Sequence, residues 1–239
     1  MRIQLLFSLA LLGLSADCNA FKFERIDKDN VMLLIVDHQV GLFELVRDVS
    51  PEEFKTNMIA HAALGKIFNL PTVITTSAET GPNGPAPKEI RDLHPDAPYI
   101  KRPGQISAWD NDDFKATVKA TGKKQAIIAG ITTDVCTAFL ALAMIEDGYT
   151  VFANADASGA FNARTAADAN DRMRAAGVQV MSKFAIAADL VRDWRNKPGV
   201  AEMTPFYDTY VPLYGFLIRA HAAAVENGTL LPGEGDLPL

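Results

Sequence analysis

The strongest constraint on the fold is a set of short apolar or β-branched runs that alternate with helix-like segments. The first run, Val31–Val36, reads VMLLIV and stops at Asp37, and residues 72–76 and 125–129 are of the same kind. Continuous runs without polar alternation are typical of strands that are buried on both faces of a parallel sheet. Their alternation with helices predicts right-handed crossovers and an α/β fold with a mostly parallel sheet covered on both faces.

Local signals predict the remaining elements. Ser50, followed by Pro51 and two glutamates, is a helix start, because serine caps a helix and acidic side chains suit the positive end of its dipole. The segment ETGPNGPAP, residues 79–87, predicts a loop because it is rich in glycine and proline. Further strands are predicted at residues 98–101, 150–155 and 178–181, and helices at 51–68, 112–120, 135–146 and 164–176.

The first twenty residues have the character of a secretory signal peptide. Arg2 supplies a positive start, residues 5–14 are almost entirely apolar, and Ala20 ends the segment with a small residue. The apolar run is too short to cross a bilayer, and no later run reaches the roughly 20 apolar residues that a spanning helix needs. We therefore expect cleavage near Ala20, an exported protein that is periplasmic or secreted, and no membrane span.

The composition is that of a globular protein with an acidic balance. The chain has 239 residues, of which 49% are hydrophobic, and its formal net charge is −6. This charge argues against nucleic acid as a partner, because proteins that bind phosphate backbones concentrate Lys and Arg on one face. The expected organisation is a signal peptide over residues 1–20, one domain over residues 21–197 and a C-terminal tail over residues 198–239.

Chemically complementary side chains lie at the carboxyl ends of three predicted strands. Asp37 follows the first strand, Lys101 and Arg102 end the third, and Cys136 lies just beyond the fourth. In open α/β sheets the ligand crevice lies beyond the carboxyl ends of the strands, so these side chains are expected to meet at one edge. After removal of the signal peptide, Cys136 is the only thiol, and it is either an inert core residue or a reactive one.

A cysteine in the first turn of a helix is a candidate nucleophile. The positive end of the helix dipole and unpaired N–H groups stabilise a thiolate, so we expect the pKa of Cys136 to fall below the roughly 8.5 of a free cysteine. The same N–H groups can hold the oxyanion that forms when sulfur attacks a carbonyl carbon. Asp37 can take up the proton, and a neighbouring cation favours the ionised forms. The pattern indicates a triad of thiol, carboxylate and cation without histidine.

Longer motifs carry a resemblance to a known family. In chain order they are LLIVDHQVGL, TTSAETGPNGP, YIKRPGQISAWDNDDF, IIAGITTDVCTAF, DASGAFN and DWRN. Together they resemble the isochorismatase-like cysteine hydrolases, in particular the YcaC-like branch, over roughly residues 23–197. The resemblance implies a Rossmann-like three-layer α/β/α sandwich with a six-stranded sheet and a homo-oligomer. It also implies hydrolysis of a C–N, ester or ether bond in a small-molecule substrate without a cofactor.

Carried over residue by residue, the resemblance makes Asp37 the acid and Cys136 the nucleophile. The basic residue is less clear, because the YcaC-like branch carries arginine before PG, which aligns Arg102 with the lysine of the wider family, while Lys101 directly precedes it. Neighbouring residues of a strand point to opposite faces, so only one of the two can reach the site. We favour Arg102 and keep Lys101 as the alternative.

The resemblance also implies an oxyanion hole. A cis peptide between Ile131 and Thr132 would aim its amides, and the hole would include Cys136. We predict no catalytic metal, because ETGPNGP stands where nicotinamidase-like members carry Asp-x-His, and the four histidines show no paired spacing. Three aromatic residues near the predicted cleft are candidates either for the substrate pocket or for the core: Phe43, Trp109 and Phe161.

The tail and the function each leave an alternative. Residues 203–225 are rich in apolar and aromatic side chains, which predicts either a subunit contact or packing on the same subunit, and residues 226–239 are expected to be disordered. The favoured function is a metal-free hydrolase that forms a covalent adduct on Cys136. The alternative is a non-catalytic member that binds a small molecule or senses redox state through a thiol oxidised after export. Thiol reactivity that depends on Asp37, with turnover of an amide or ester, would favour the hydrolase.

Overall fold

A computed structural model describes residues 23–230 of the chain. The predicted signal peptide over residues 1–20 and the last residues of the tail lie outside this part. The strands are β1 (Val31–Val36), β2 (Thr72–Ser77), β3 (Tyr99–Arg102), β4 (Gln125–Gly130), β5 (Thr150–Asn154) and β6 (Gln179–Met181). The helices are α1 (Pro51–Ile67), α2 (Lys88–Leu93), α3 (Asp112–Ala120), α4 (Ala138–Glu146), α5 (Ala163–Ala175), α6 (Lys183–Val191), α7 (Val200–Tyr210) and α8 (Pro212–Glu226).

The six strands form one parallel sheet in the order β3-β2-β1-β4-β5-β6. The predicted α/β fold with a parallel sheet is therefore confirmed. The chain moves outward from β1 to β3 on one side and from β4 to β6 on the other, so the strand order reverses between β1 and β4. A crevice opens at such a reversal, beyond the carboxyl ends of the strands.

Apolar side chains cover both faces of β1. Leu33 and Ile35 join the core on the side of α1, α6 and α7, whereas Met32 and Leu34 join the core on the side of α3 and α4. Every residue of β1 is buried, as expected for a central strand of a parallel sheet. The continuous apolar run that predicts this strand thus reflects helices packed on both faces.

Helix starts follow the predicted capping chemistry, but four helices within residues 23–230 are not foreseen by the sequence patterns. The Ser50 hydroxyl accepts a hydrogen bond from the Glu53 N–H at 3.2 Å and caps α1. The helix predicted from residue 135 begins instead as a π-helical turn, Thr133–Thr137, which continues into α4. The unforeseen helices are α2 and α6, of six and nine residues, and α7 and α8 in the tail, of 11 and 15 residues.

The tail packs on its own subunit with one side and leaves the other side free. Met203, Phe206 and Tyr207 of α7 are buried in the core that also contains α1 and α6. On α8, Leu213 and Phe216 are exposed. No helix within residues 23–230 has the length and apolar character needed to cross a bilayer.

Candidate active site

Asp37 is the first residue after β1 and turns the chain away from the sheet. Its N–H still donates to the Thr75 carbonyl of β2 at 2.9 Å, but its φ of 53° lies in the left-handed region. Aspartate enters this region more easily than most residues with a Cβ, because its short polar side chain can bond locally. The side chain is fully buried at the carboxyl edge of the sheet.

Arg102 ends β3 and reaches across β2 to the Asp37 carboxylate. Its Nη2 donates to Asp37 Oδ1, and both side chains are shielded from solvent. Nε donates to the Thr75 hydroxyl at 3.0 Å, and Nη1 donates to the carbonyl groups of Gln105 and Ile106. Because each guanidinium nitrogen is engaged, the cation is fixed in place and neutralises a buried carboxylate.

Lys101 lies outside this cluster. Its side chain is 65% exposed, pairs with Glu79 at 3.1 Å and lies over the Tyr99 ring. The structure therefore brings Arg102, and not Lys101, to Asp37. The alternation of side chains along β3 produces this choice, since the two neighbours point to opposite faces.

Cys136 approaches Asp37 from the neighbouring strand. β4 pairs with β1 so that Gly130 lies beside Val36, and the π-helical turn after β4 carries Cys136 to the same edge. The thiol is half-buried and interacts with the Asp37 carboxylate. The second carboxylate oxygen, Asp37 Oδ2, is buried and receives no N–H or O–H hydrogen bond from residues 23–230. It is available as an acceptor for a proton.

The electrostatics of the thiol contradict the predicted low pKa. Burial, followed by the charge of the Asp37 carboxylate, raises the pKa of the Cys136 thiol well above its ordinary value, although Arg102 and a backbone hydrogen bond from Thr132 lower it. Burial also raises the pKa of the Asp37 carboxyl, and Arg102 opposes that rise. The prediction failed because it considered the helix terminus and a neighbouring cation, whereas desolvation and a neighbouring anion dominate. The resting site therefore holds a thiol beside a buried carboxylate.

The residues of the implied oxyanion hole lie at the end of β4. The Ile131–Thr132 peptide is cis, as the resemblance implies. The Ile131 N–H, however, donates to the Val36 carbonyl at 3.3 Å, so it is not free to hold an oxyanion. Of the residues implied for the hole, Thr132 and Cys136 remain the candidate donors, and in the resting site the Thr132 amide bonds to the thiol.

The three aromatic candidates for the substrate pocket lie in different surroundings. Trp109 is buried in the core, packs against Phe114 and donates its indole N–H to Asp147 at 2.9 Å, so it is a core residue and not a pocket residue. Phe43 is half-buried against Phe54 and the core beside α1. Phe161 is 51% exposed and remains a candidate for the pocket.

Polar residues that the sequence analysis did not single out lie directly behind the site. His38 is buried, donates from Nε2 to the Ala157 carbonyl at 2.8 Å and packs edge-on against the His61 ring. Burial lowers the pKa of His38 to about 4 and that of His61 to about 3, so both are neutral near pH 7. Gln39 is fully buried and bonded to β2. The signal was present in the motif VDHQVG, because three polar residues directly follow a buried strand.

No cluster of His, Cys, Asp or Glu side chains within residues 23–230 could hold a metal ion. Glu79, in the loop where nicotinamidase-like members carry Asp-x-His, is bonded instead to the Thr76 hydroxyl at 2.8 Å and to Lys101. The absence of a metal from the reaction stays a prediction.

Comparison with known proteins assigns the chain and its fold to a family. The isochorismatase domain family matches residues 31–183. The probable hydrolase YcaC of Escherichia coli strain K12 is 51% identical over 199 residues, which cover 83% of this chain and 95% of the relative. Its crystal structure, described as an octameric hydrolase of unknown specificity, has a TM-score of 0.81 and covers 84% of this chain and 98% of that chain.

A second solved relative carries a covalently bound small molecule. It is YcaC from Pseudomonas aeruginosa with hexane-2,5-diol and covalent acrylamide, with 49% identity, a TM-score of 0.81 and coverage of 85% of this chain and 100% of that chain. The nicotinamidase of Staphylococcus aureus shares the fold at 15% identity and a TM-score of 0.54, covering 64% of this chain and 99% of that chain. A match over most of the domain, together with relatives at about half identity, shows that this chain belongs to the isochorismatase family of hydrolases.

Proposed function

We propose that this protein is a metal-independent cysteine hydrolase that cleaves an amide, ester or similar C–N or C–O bond of a small molecule through a covalent intermediate on Cys136. The observation that carries the proposal is the buried Asp37–Arg102 pair in contact with a half-exposed thiol. Covalent acrylamide in the Pseudomonas aeruginosa relative supports a nucleophilic side chain in this branch of the family. Lys101 takes no part, because it is exposed and paired with Glu79.

The first half of the reaction forms an acyl-enzyme. The Cys136 sulfur attacks the carbonyl carbon while its proton passes to Asp37 Oδ2, and the carbonyl oxygen becomes an oxyanion held by the amides of Thr132 and Cys136. When the C–N or C–O bond breaks, Asp37 returns the proton to the leaving nitrogen or oxygen. A raised pKa suits Asp37 to this role, because a carboxyl group shuttles protons best when its pKa approaches the working pH.

The second half releases the acid. Asp37 takes a proton from a water molecule, whose oxygen attacks the thioester carbon, and the sulfur leaves and recovers a proton from Asp37. Arg102 transfers no proton, because a guanidinium stays charged near neutral pH. Its role is electrostatic, since it stabilises the carboxylate that the proton transfers require.

The redox-sensing alternative has weaker support. Cysteines that sense oxidants are accessible and have a low pKa, because the thiolate is the species that oxidises. Burial and Asp37 instead raise the pKa of Cys136, which keeps the thiol protonated. These surroundings fit a thiol that is deprotonated only as it attacks a substrate.

The test is a panel of small amides, esters and hydroxamates assayed with the wild type, Cys136→Ala, Arg102→Met and Lys101→Ala. We expect at least one substrate to turn over, Cys136→Ala to lose about 1,000-fold or more in kcat, and Lys101→Ala to match the wild type. Arg102→Met should fall well below Lys101→Ala, although the two changes remove the same charge. Undiminished turnover by Cys136→Ala would refute the proposed nucleophile.

Export and assembly belong to the same proposal. The signal character of residues 1–20 supports a mature chain that begins at or near Phe21 outside the cytoplasm. N-terminal sequencing of the native protein tests this, and an intact Met1 would contradict it. The octameric state of the Escherichia coli relative supports a homo-oligomer of this chain, whose free surface includes the exposed side of α8.

A further inference from the structure

The ladder between β1 and β2 lacks two backbone hydrogen bonds at the point where β1 ends. In a parallel pair the bonds are evenly spaced along the strands, and the Asp37 N–H makes the last regular one, to Thr75. The next two would run from the Ser77 N–H to the Asp37 carbonyl and from the Gln39 N–H to the Ser77 carbonyl. The turn at Asp37 prevents both, because the Gln39 N–H bonds instead to the Asp37 carbonyl at 2.8 Å.

The side chain of Gln39 supplies the two missing bonds. Its Oε1 accepts from the Ser77 N–H at 2.8 Å, and its Nε2 donates to the Ser77 carbonyl at 3.0 Å. Nε2 also donates to the Gly84 carbonyl at 2.5 Å. The side chain is fully buried, so these bonds are shielded from water. The side-chain amide of Gln39 thus replaces the backbone groups that the turn at Asp37 moves out of the ladder.

The consequence reaches Arg102 through the next strand. Ser77 is the β2 partner of Arg102 in the register, and the Ala78 N–H donates to the Arg102 carbonyl at 2.9 Å. Because Gln39 keeps β2 extended as far as Ser77, β3 stays paired at the residue whose guanidinium meets Asp37. The hydrogen bonds of the Gln39 side chain go to Ser77 and Gly84, and none goes to Asp37, Arg102 or Cys136.

We propose that Gln39 is a positioning residue, whose side-chain amide completes the β1–β2 ladder and thereby holds Arg102 against Asp37. The inference rests on the proposed function for its catalytic meaning. Arg102 lowers the pKa values of both Asp37 and Cys136, so a loosened Arg102 raises both. If loss of Gln39 only opened the site to solvent and did not displace Arg102, the pKa of the Cys136 thiol would fall instead, because the thiol would be less buried.

The test is a mutant cycle read by the pH dependence of Cys136 alkylation with acrylamide. Arg102→Met should raise the apparent pKa by about one unit or more. Gln39→Met, which is neutral and similar in length, should raise it in the same direction by a smaller amount. The double variant should show no larger shift than Arg102→Met, because Gln39 acts through Arg102. An unchanged pKa in folded Gln39→Met, a lowered pKa or additive shifts would each overturn the inference.

A matched control separates the ladder from the neighbouring loop. Asn83 also donates from its side chain to the Ser77 carbonyl, at 2.8 Å, but makes no bond to the Ser77 N–H. Asn83→Ala should therefore leave the apparent pKa as in the wild type, and a shift equal to that of Gln39→Met would contradict the proposal. Thermal unfolding verifies that each variant folds. If Gln39→Met fails to fold, Gln39→Asn takes its place in the cycle, because its side chain is too short to make all three bonds, and its thiol pKa is judged by the same criteria. Alkylation of Cys136 requires no turnover. A substrate panel without activity would therefore count against the proposed hydrolysis and would leave the test of Gln39 unaffected.

Discussion

At Cys136 the surroundings act against the helix terminus. The turn offers the thiol backbone N–H groups, but the sulfur is half-buried and interacts with the buried carboxylate of Asp37. The charge of Arg102 is shared with Asp37 and only partly offsets this effect. A thiol in this setting is protected from adventitious oxidation while no substrate is bound, because oxidants react with the thiolate.

Asp37→Asn separates the thiol pKa from activity. The change removes the anion that raises the pKa of Cys136 and leaves the positive charge of Arg102 unpaired, so we expect the pKa to fall and acrylamide to react faster at pH 7. Turnover should fall by about 100-fold or more, because no group is left to accept the proton. The measurement is alkylation rate against pH beside turnover of an identified substrate. A higher thiol pKa in this variant would show that the carboxylate does not act as described.

At the scale of elements, β4 and the turn after it determine where the thiol lies. Gly130 ends β4 so close to β1 that a Cβ atom there would lie 2.3 Å from the Val36 carbonyl oxygen and 3.1 Å from Thr137 Oγ1. The Val36 carbonyl belongs to the backbone of β1, so it cannot withdraw without moving that strand. The glycine therefore allows the close approach of Cys136 to Asp37.

Gly130→Ala should destabilise the protein by about 1–3 kcal/mol, because the added methyl group overpacks the junction of β1 and β4. It should also reduce turnover in the molecules that stay folded, since the turn that carries Cys136 must shift. Urea unfolding and activity measure the two effects. Gly104→Ala is the matched control, because no atom lies within 4 Å of its added Cβ, and its stability should stay within about 0.5 kcal/mol of the wild type. Equal stability of both variants would contradict the steric argument.

The sequence predicts the strands and helices better than it predicts the environment of individual side chains. The run ending at Asp37 predicts β1 because a strand that is buried on both faces has a continuous apolar sequence. The alternation of side chains along a strand likewise predicts that only one of Lys101 and Arg102 reaches the site. The pKa of Cys136 and the burial of Trp109 are not predictable in this way, because both depend on residues distant in sequence. The same holds for Gln39, whose function appears only when Ser77 lies beside it.

At the scale of the whole molecule, two buried neutral histidines make stability depend on pH. The unfolded chain binds a proton at each histidine below a pH of about 6.5, whereas folded His38 does so only near 4 and His61 near 3. Between these pH values the unfolded state binds more protons than the folded state. The contribution of the two neutral histidines to the free energy of unfolding is therefore full above about pH 6.5 and is lost as the pH falls. The loss for His38 is on the order of 3 kcal/mol.

His38→Gln should therefore flatten the decline in stability between pH 6.5 and 4, whatever its effect at pH 7. The free energy of unfolding in urea, measured across this range for the wild type and the variant, tests the expectation. Parallel curves for the two proteins would show that folded His38 titrates as an exposed histidine does.

Assembly is expected to involve the outer side of α8. Leu213 is 86% exposed, and Phe216 and Leu217 lie beside it, which leaves an apolar surface of the kind that subunits cover. Leu213→Ser combined with Leu217→Ser should lower the mass measured by sedimentation, while Glu226→Gln, a polar change on the same helix, should leave it unchanged. An unaltered assembly in the double variant would place the contact elsewhere.

The pairing of β1 with β4 also makes the thiol a reporter of folding. Val31 pairs with Gln125, so the Cys136 thiol reaches the Asp37 carboxylate only when distant parts of the chain have closed into one sheet. Such non-local pairings form slowly, and until then Cys136 is an ordinary cysteine with a pKa near 8.5. Short acrylamide pulses at neutral pH during refolding should therefore label Cys136 quickly in chains whose sheet has not formed and slowly in chains whose sheet has formed. The decrease in labelling per pulse with refolding time measures the rate at which the sheet forms.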